Sequence, residues 1–316
     1  MEKKRKIILD CDPGHDDAVN IIMAGKHPDF ELLGITTVAG NQTIENVTRN
    51  ALLICQTLDI DVPVCRGMKK AMIRDEYPVA IPQATMLHGE TGLDGPVFPP
   101  LTKQLDPRHA VDFIIEAVQK ADSPVTLLPT GPLSNIAMAI RKEPSIVENI
   151  EEIVLMGGVY QHGNVTPAAE FNIFADAEAA YVVFNCGRPV VMMGLDVTRK
   201  VLCYPAIVDR MSKVGNKASA LFTDVMRYFC MKQKMVFGWE GGPLHDPCTM
   251  AYLIDPTCFR VEQMHVDIDI SGSVSHGRTN CDTFHLTDKV KNAGVAVDVN
   301  ADRFWDIIEA CLRYYD

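Results

Sequence analysis

The chain has no Cys-x-x-Cys pair, no glycine-rich phosphate loop, only two tryptophans and no apolar run near the length of a bilayer. Each absence removes a class of function. Without GxGxxG, GxxxxGKS or GxxxxGKT there is no glycine cradle for a dinucleotide or a nucleoside triphosphate. Without GxSxG there is no support for a nucleophile elbow. No segment is long and apolar enough to span a membrane. The basic start Lys3-Lys4-Arg5-Lys6 meets Asp10 after three apolar residues, too few for the core of a signal peptide. A basic excess is also missing: 30 Lys and Arg stand against 41 Asp and Glu, a net charge of −11. That balance argues against nucleic acid and against an anionic membrane surface as partners, and a neutral small substrate fits better. The ten cysteines lack short paired spacings and read as reduced, mostly buried thiols of a cytoplasmic protein. Linkers, internal repeats and low-complexity segments are absent, so residues 1–316 are expected to form a single domain.

What is present alternates. Short runs rich in Val, Ile and Leu recur at Leu32 to Val38, Val62 to Cys65, Val125 to Leu128, Ile153 to Met156 and Val190 to Met193, with helical patterns between several of them. The pattern predicts an α/β fold with a mostly parallel, Rossmann-like open sheet flanked by helices. The best helices are Ala110 to Lys120, the segment after Pro132, Pro247 to Ile254, and Ala301 to Tyr315 with Asn300 as N-cap. Val266, Ile268 and Ile270, like Val295, Val297 and Val299, alternate as half-exposed strands do, and two such segments are expected to pair antiparallel at an edge.

Asp10-Cys11-Asp12-Pro13-Gly14-His15-Asp16-Asp17-Ala18 places four carboxylates around a Pro-Gly turn, directly after the apolar run Ile7-Ile8-Leu9. This reads as a buried strand, a turn and the first turn of a helix, with the acids at the carboxyl edge of a sheet, where open α/β folds bind ligands. One Asp there would serve as a cap or dipole partner. Four repel one another and call for a cation, and an all-oxygen set suits Ca²⁺ or Mg²⁺ better than Zn²⁺. Turns at Pro129-Thr130-Gly131-Pro132 and Met156-Gly157-Gly158 leave backbone carbonyls free to bind a metal. Asn164 and Glu170-Phe171-Asn172 offer donors and acceptors for hydroxyl groups. His88 and His245 are candidate proton donors, and a water activated by a metal and carboxylates is the nucleophile that fits. The segments Met72 to Pro99 and Phe229 to Pro243 read as long loops that close over a substrate.

In this order the segments closely resemble those of the nucleoside hydrolases, the calcium-dependent inosine-uridine-preferring N-ribohydrolases. The match runs through the Asp-rich motif, Gly40-Asn41-Gln42-Thr43, His88-Gly89-Glu90-Thr91-Gly92, Pro129 to Asn135, Leu155 to Gly158, Glu170 to Ile173 and His245-Asp246, over essentially the whole chain. The resemblance implies hydrolysis of the N-glycosidic bond of a ribonucleoside to ribose and free base. It implies Ca²⁺ held by Asp12, Asp17, the Thr130 carbonyl and Asp246, with Asp12 also the general base toward the metal-bound water. Asp16, Asn41 and Asn172 would hold the 2′- and 3′-hydroxyl side of the sugar, and Met156, Asn164 and Glu170 its 5′ side. It further implies a homodimer or homotetramer.

For the base, the resemblance points to His245 and His88 near the leaving group and to Gln233 and Phe237 over the base. Pyrimidine-preferring relatives carry a tyrosine where this chain has Phe237, and a pyrimidine bias toward uridine and cytidine is expected. Two alternatives remain at this point: a purine- or inosine-preferring hydrolase, and a calcium-dependent nucleoside-binding protein without turnover. A phosphatase of the haloacid dehalogenase type also places Asp-x-Asp after its first strand, but the Pro-Gly turn and Asp16-Asp17 spoil that pattern.

Overall fold

The computed structural model describes residues 4–75 and 82–316. Part of the Met72 to Pro99 segment, expected as a loop over the substrate, therefore lies outside the described residues. Twelve strands are present among those described: β1 (Arg5–Cys11), β2 (Phe30–Thr37), β3 (Val64–Arg66), β4 (Val125–Pro129), β5 (Ile150–Met156), β6 (Val190–Met193), β7 (Leu202–Cys203), β8 (Gly242–Pro243), β9 (Phe259–Met264), β10 (Val266–Ile268), β11 (Thr279–Cys281) and β12 (Ala293–Val299). Eight form the central sheet in the order β3-β2-β1-β4-β5-β6-β12-β9, parallel except for β9 against β12. The expected single α/β domain with a mostly parallel open sheet is what the chain forms.

Helices cover both faces, so the strands are buried on both sides, as parallel strands require. Along β1 the side chains alternate: Ile7, Leu9 and Cys11 enter one core, with Phe222, Phe229 and Phe304, and Ile8 enters the other, with Leu127 and Ile136. From β1 the chain winds to one side through β2 and β3, then returns to β4 and winds to the other. The order reverses between β1 and β4, and the crevice at their carboxyl ends is where such sheets bind ligands. Thr130 N–H donates to the Asp10 carbonyl at 2.8 Å and closes the two strand ends together.

Most predicted elements form, and two differ. The late alternating segments do not pair with each other: β10 pairs with β11 in a separate hairpin, and β12 lies between β6 and β9. Ala296, which reads as a solvent-side spacer between valines, is fully buried, so β12 is an interior strand with apolar faces on both sides. The segment from Phe229 is not a loop either. It is the second half of a 21-residue helix, Lys217–Phe237, begun by an Asn216–Ser219 capping box and stopped by Gly238 at φ +72°. No Gly or Pro interrupts residues 217–237, which permits the continuous helix. Pro247–Ile254 is helical as predicted, and Asn300 caps the helix Ala301–Arg313 by accepting from Arg303 N–H at 3.1 Å. Among the described residues no helix is long and apolar enough to cross a membrane.

Asn135 locks the switch point. Fully buried, it donates to Asp10 Oδ1 at 2.8 Å and to the Thr37 carbonyl at 3.0 Å, and accepts from Met68 N–H at 2.9 Å. Asn135→Ala removes all three bonds, leaving the buried Asp10 Oδ1 with the Thr36 hydroxyl as its donor, and is expected to cost about 3 kcal/mol. Urea unfolding checks this, and a loss under about 1 kcal/mol would contradict it.

Candidate functional site

The end of β1 and the first turn of the helix His15–Gly25 deliver Asp12, Asp16 and Asp17 to the crevice; the turn after β8 adds Asp246, just before the helix Pro247–Ile254. All four are buried, and carboxylate oxygens of Asp16, Asp17 and Asp246 lie within 4.8 Å of one another. Burial pushes the four carboxyls up, and for Asp12, Asp16 and Asp246 the neighbouring carboxylates push further; Asp16 reaches about 7. Such a group is stable with extra protons or around a cation, and its donors are all oxygen, so the residues present fit a hard metal ion.

Each acid is held in place. Asp17 accepts from Gly14 N–H at 3.0 Å and from Thr130 Oγ1 at 2.9 Å. Asp12 Oδ2 accepts from Asn41 N–H at 2.6 Å, and the Asn41 amide donates to the Asp12 carbonyl at 3.2 Å. Asp12, expected among the ligands, is outside the tightest trio, in which Asp16 takes its place. The Thr130 carbonyl accepts from Asn172 Nδ2 at 2.8 Å and keeps one lone pair for a further partner. Gly14 is needed for close approach: a Cβ there would sit 2.8 Å from the His88 ring.

Above the acids lies a cavity of about 350 Å³. Every expected site residue lines it except Asp12 and Asp17. Asn172 also donates to the Met156 carbonyl at 3.0 Å. Asn164 Oδ1 accepts from Phe171 N–H at 2.9 Å. Glu170, 2% exposed, caps the helix Phe171–Ala175 through the N–H groups of Asn172 and Ile173 and binds Gly158 N–H at 2.9 Å, while burial raises it to about 7. Gln233 is equally buried, and its carboxamide oxygen meets no protein partner. Phe237 is the last residue of its helix, with its ring centroid 5.0 Å from that of Trp239.

Two histidines face this space from opposite sides of the sequence. His245 Nδ1 lies 2.7 Å from Thr198 Oγ1, and burial, with Arg199 nearby, lowers the ring to about 3. His88 ends the helix Pro82–His88, and burial lowers it well below the usual imidazole range. Behind it stands His15, Nδ1 to Nδ1 at 3.0 Å, stacked between the His88, Tyr228 and Phe229 rings.

Sequence reasoning missed His15, Arg199 and Trp239. Arg199 donates to the carbonyls of His162 at 2.7 Å and Gly163 at 3.0 Å and so fixes the loop that carries Asn164. No local pattern marks Arg199; His15 lies inside the Asp-rich motif, and the scarcity of tryptophan and the glycine stop before Trp239 were a usable signal.

Comparison with known proteins identifies the family and agrees with the fold. The family model described as inosine-uridine preferring nucleoside hydrolase matches residues 7–306. The chain is 50% identical over 313 residues to the pyrimidine-specific ribonucleoside hydrolase RihB of Escherichia coli, covering 99% of this chain and 98% of that relative. Among solved structures, a purine-preferring ribonucleoside hydrolase from Gardnerella vaginalis superposes with a TM-score of 0.90 at 35% identity, covering 98% of this chain and 99% of that one. A plant nucleoside hydrolase does so at 0.90 and 27%, with the same coverage. The non-catalytic binder and the phosphatase therefore fall away, and this chain belongs to the inosine-uridine preferring nucleoside hydrolase family, enzymes that hydrolyse ribonucleosides to ribose and free base.

Proposed function

We propose that this enzyme is a calcium-dependent, pyrimidine-biased ribonucleoside hydrolase of the cytoplasm that assembles as a homodimer or homotetramer. The observation that carries the calcium reading is the buried all-oxygen trio Asp16, Asp17 and Asp246 below a cavity rimmed by amides. Asp12, Asp17, the Thr130 carbonyl and Asp246 would hold the ion. A bound Ca²⁺ offsets the carboxylate charge and lowers the pKa of coordinated water.

The chain's own groups then divide the work. Asp12 takes the proton of the attacking water. Asp16, Asn41 and Asn172 hold the 2′- and 3′-hydroxyls, and Met156, Asn164 and Glu170 meet the 5′ side. Phe171 closes the sugar site beside them. As the C1′–N bond lengthens, the ribosyl group becomes oxocarbenium-like, and the surrounding carboxylate and amide oxygens stabilise its positive charge. His245 donates a proton to the departing base, with His88 beside it.

The pyrimidine reading is supported by the identity to the pyrimidine-specific relative. A purine reading is favoured by one observation, the Phe237 and Trp239 rings, which offer a broad stacking surface at the mouth. Ten free cysteines support a reducing compartment, and the exposed side chains of Val274, Phe284, Leu286 and Val290 support association between copies.

Calcium chelation, Asp12→Ala and Asp17→Ala are each expected to abolish ribose release, with calorimetry showing one Ca²⁺ per chain in the parent. Near-normal turnover by a folded, metal-free protein would refute the mechanism. His245→Ala is expected to reduce kcat on uridine by about 10²–10⁴-fold and to spare p-nitrophenyl riboside, whose leaving group needs little protonation. Equal losses on both substrates would assign His245 to positioning. Comparing kcat/KM for uridine, cytidine, inosine and adenosine in the parent and in Phe237→Tyr tests the base: the parent should favour pyrimidines, and the tyrosine should raise the uridine-to-inosine ratio. A strong inosine preference in the parent would reverse the assignment.

A further inference from the structure

The hydrogen bonds behind the cavity fix more than the position of His88. The Asp94 carbonyl has no proton to give, so His15 Nε2, 2.8 Å away, must donate to it. A neutral imidazole has one N–H, which leaves His15 Nδ1 bare. Nδ1 of His88 stands 3.0 Å from that bare nitrogen and can only be there as a donor. Its own single proton thus points inward, toward His15. The alternative, a doubly protonated His15, puts a cation in a ring with no solvent exposure, whose nitrogens meet only a carbonyl and another imidazole. The His15 backbone N–H also lies 3.3 Å from His88 Nδ1, but a bare Nδ1 accepting it would set two lone pairs face to face at 3.0 Å. Stacking against Tyr228, with ring planes 3° apart, and against Phe229 holds the His15 ring in this orientation.

With Nδ1 engaged inside, Nε2 is the nitrogen left for the cavity that His88 lines. We propose that His15 is a positioning residue that sets the tautomer of His88, so that His88 meets the nucleobase with an unprotonated Nε2 that accepts a hydrogen bond from a donor on the base. The inference rests on reading the cavity as the base pocket of a nucleoside hydrolase. An accepting Nε2 in this cavity selects a base edge that carries N–H groups. Uridine with its N3–H and cytidine with its amino group qualify, and 3-methyluridine lacks the donor. His88 is then an acceptor in the resting enzyme, and the proton for the leaving group comes from elsewhere.

The test uses the full-length, calcium-loaded enzyme labelled with ¹⁵N-histidine, with His88 assigned against His88→Gln. Long-range ¹H–¹⁵N spectra should show His88 protonated at Nδ1 and bare at Nε2. His15→Phe keeps the aromatic stack and removes both ring nitrogens. It should shift His88 toward the Nε2–H tautomer and lower kcat/KM for uridine about five- to tenfold, with a smaller change for 3-methyluridine. A parent enzyme with His88 protonated at Nε2 would overturn the proposal, as would parallel losses on the two nucleosides. If His15→Phe does not fold, the spectrum of the parent decides alone. Failure of the parent to release ribose from uridine or from p-nitrophenyl riboside would instead refute the functional reading, whatever the tautomer.

Discussion

Four carboxylates forced into one dry crevice set the terms for everything around them. Burial raises the proton affinity of all four, neighbouring carboxylates raise Asp12, Asp16 and Asp246 further, and the fold aims donors at the group: Gly14 N–H and the Thr130 hydroxyl at Asp17, Asn41 N–H at Asp12. These bonds bring no formal positive charge to the cluster, and its oxygens fit a cation. The cluster sits at the sheet's reversal, where two strand ends diverge and open a crevice without breaking the core.

Much of this was legible in the residues because it rests on short-range chemistry. Ile7-Ile8-Leu9 followed by acids and a Pro-Gly turn could only be a buried strand feeding a loop, and β1 and its following helix form there. Asn300 and Pro247 announced helix starts by the same local logic. Where tertiary packing decided, the reading failed. Alanine is neutral as to face, so Ala296 did not reveal that β12 is interior, and the segment from Phe229, which reads as a loop, continues the helix Lys217–Phe237 as far as Gly238.

The candidate site shows the same division. Side chains inside a motif, such as Asn41, Glu170 and Asn172, were named from sequence and do line the cavity. Arg199 was not, and His15, although inside the Asp-rich motif, was given no role, because each acts on a partner distant in sequence: Arg199 on carbonyls 37 and 36 residues away, His15 on a ring 73 residues away. Glu170 lies between the two cases. Its carboxylate starts a helix and anchors Gly158, so a residue chosen for sugar binding is equally part of the scaffold that shapes the site.

The spacing of the acids along the chain has a consequence for biosynthesis. Asp17 and its Thr130 partner are 113 residues apart, and Asp246 follows more than a hundred residues later. A ribosome adding about 5–20 residues per second exposes the N-terminal acids many seconds before the last one emerges. During that interval the nascent chain holds only part of the acidic cluster. The acidic cluster is thus complete only at the end of synthesis, when the helices of the last quarter dock on the first helix, with the Tyr315 hydroxyl donating to the Ile22 carbonyl at 2.8 Å and the Asn20 amide to the Thr249 hydroxyl at 3.2 Å.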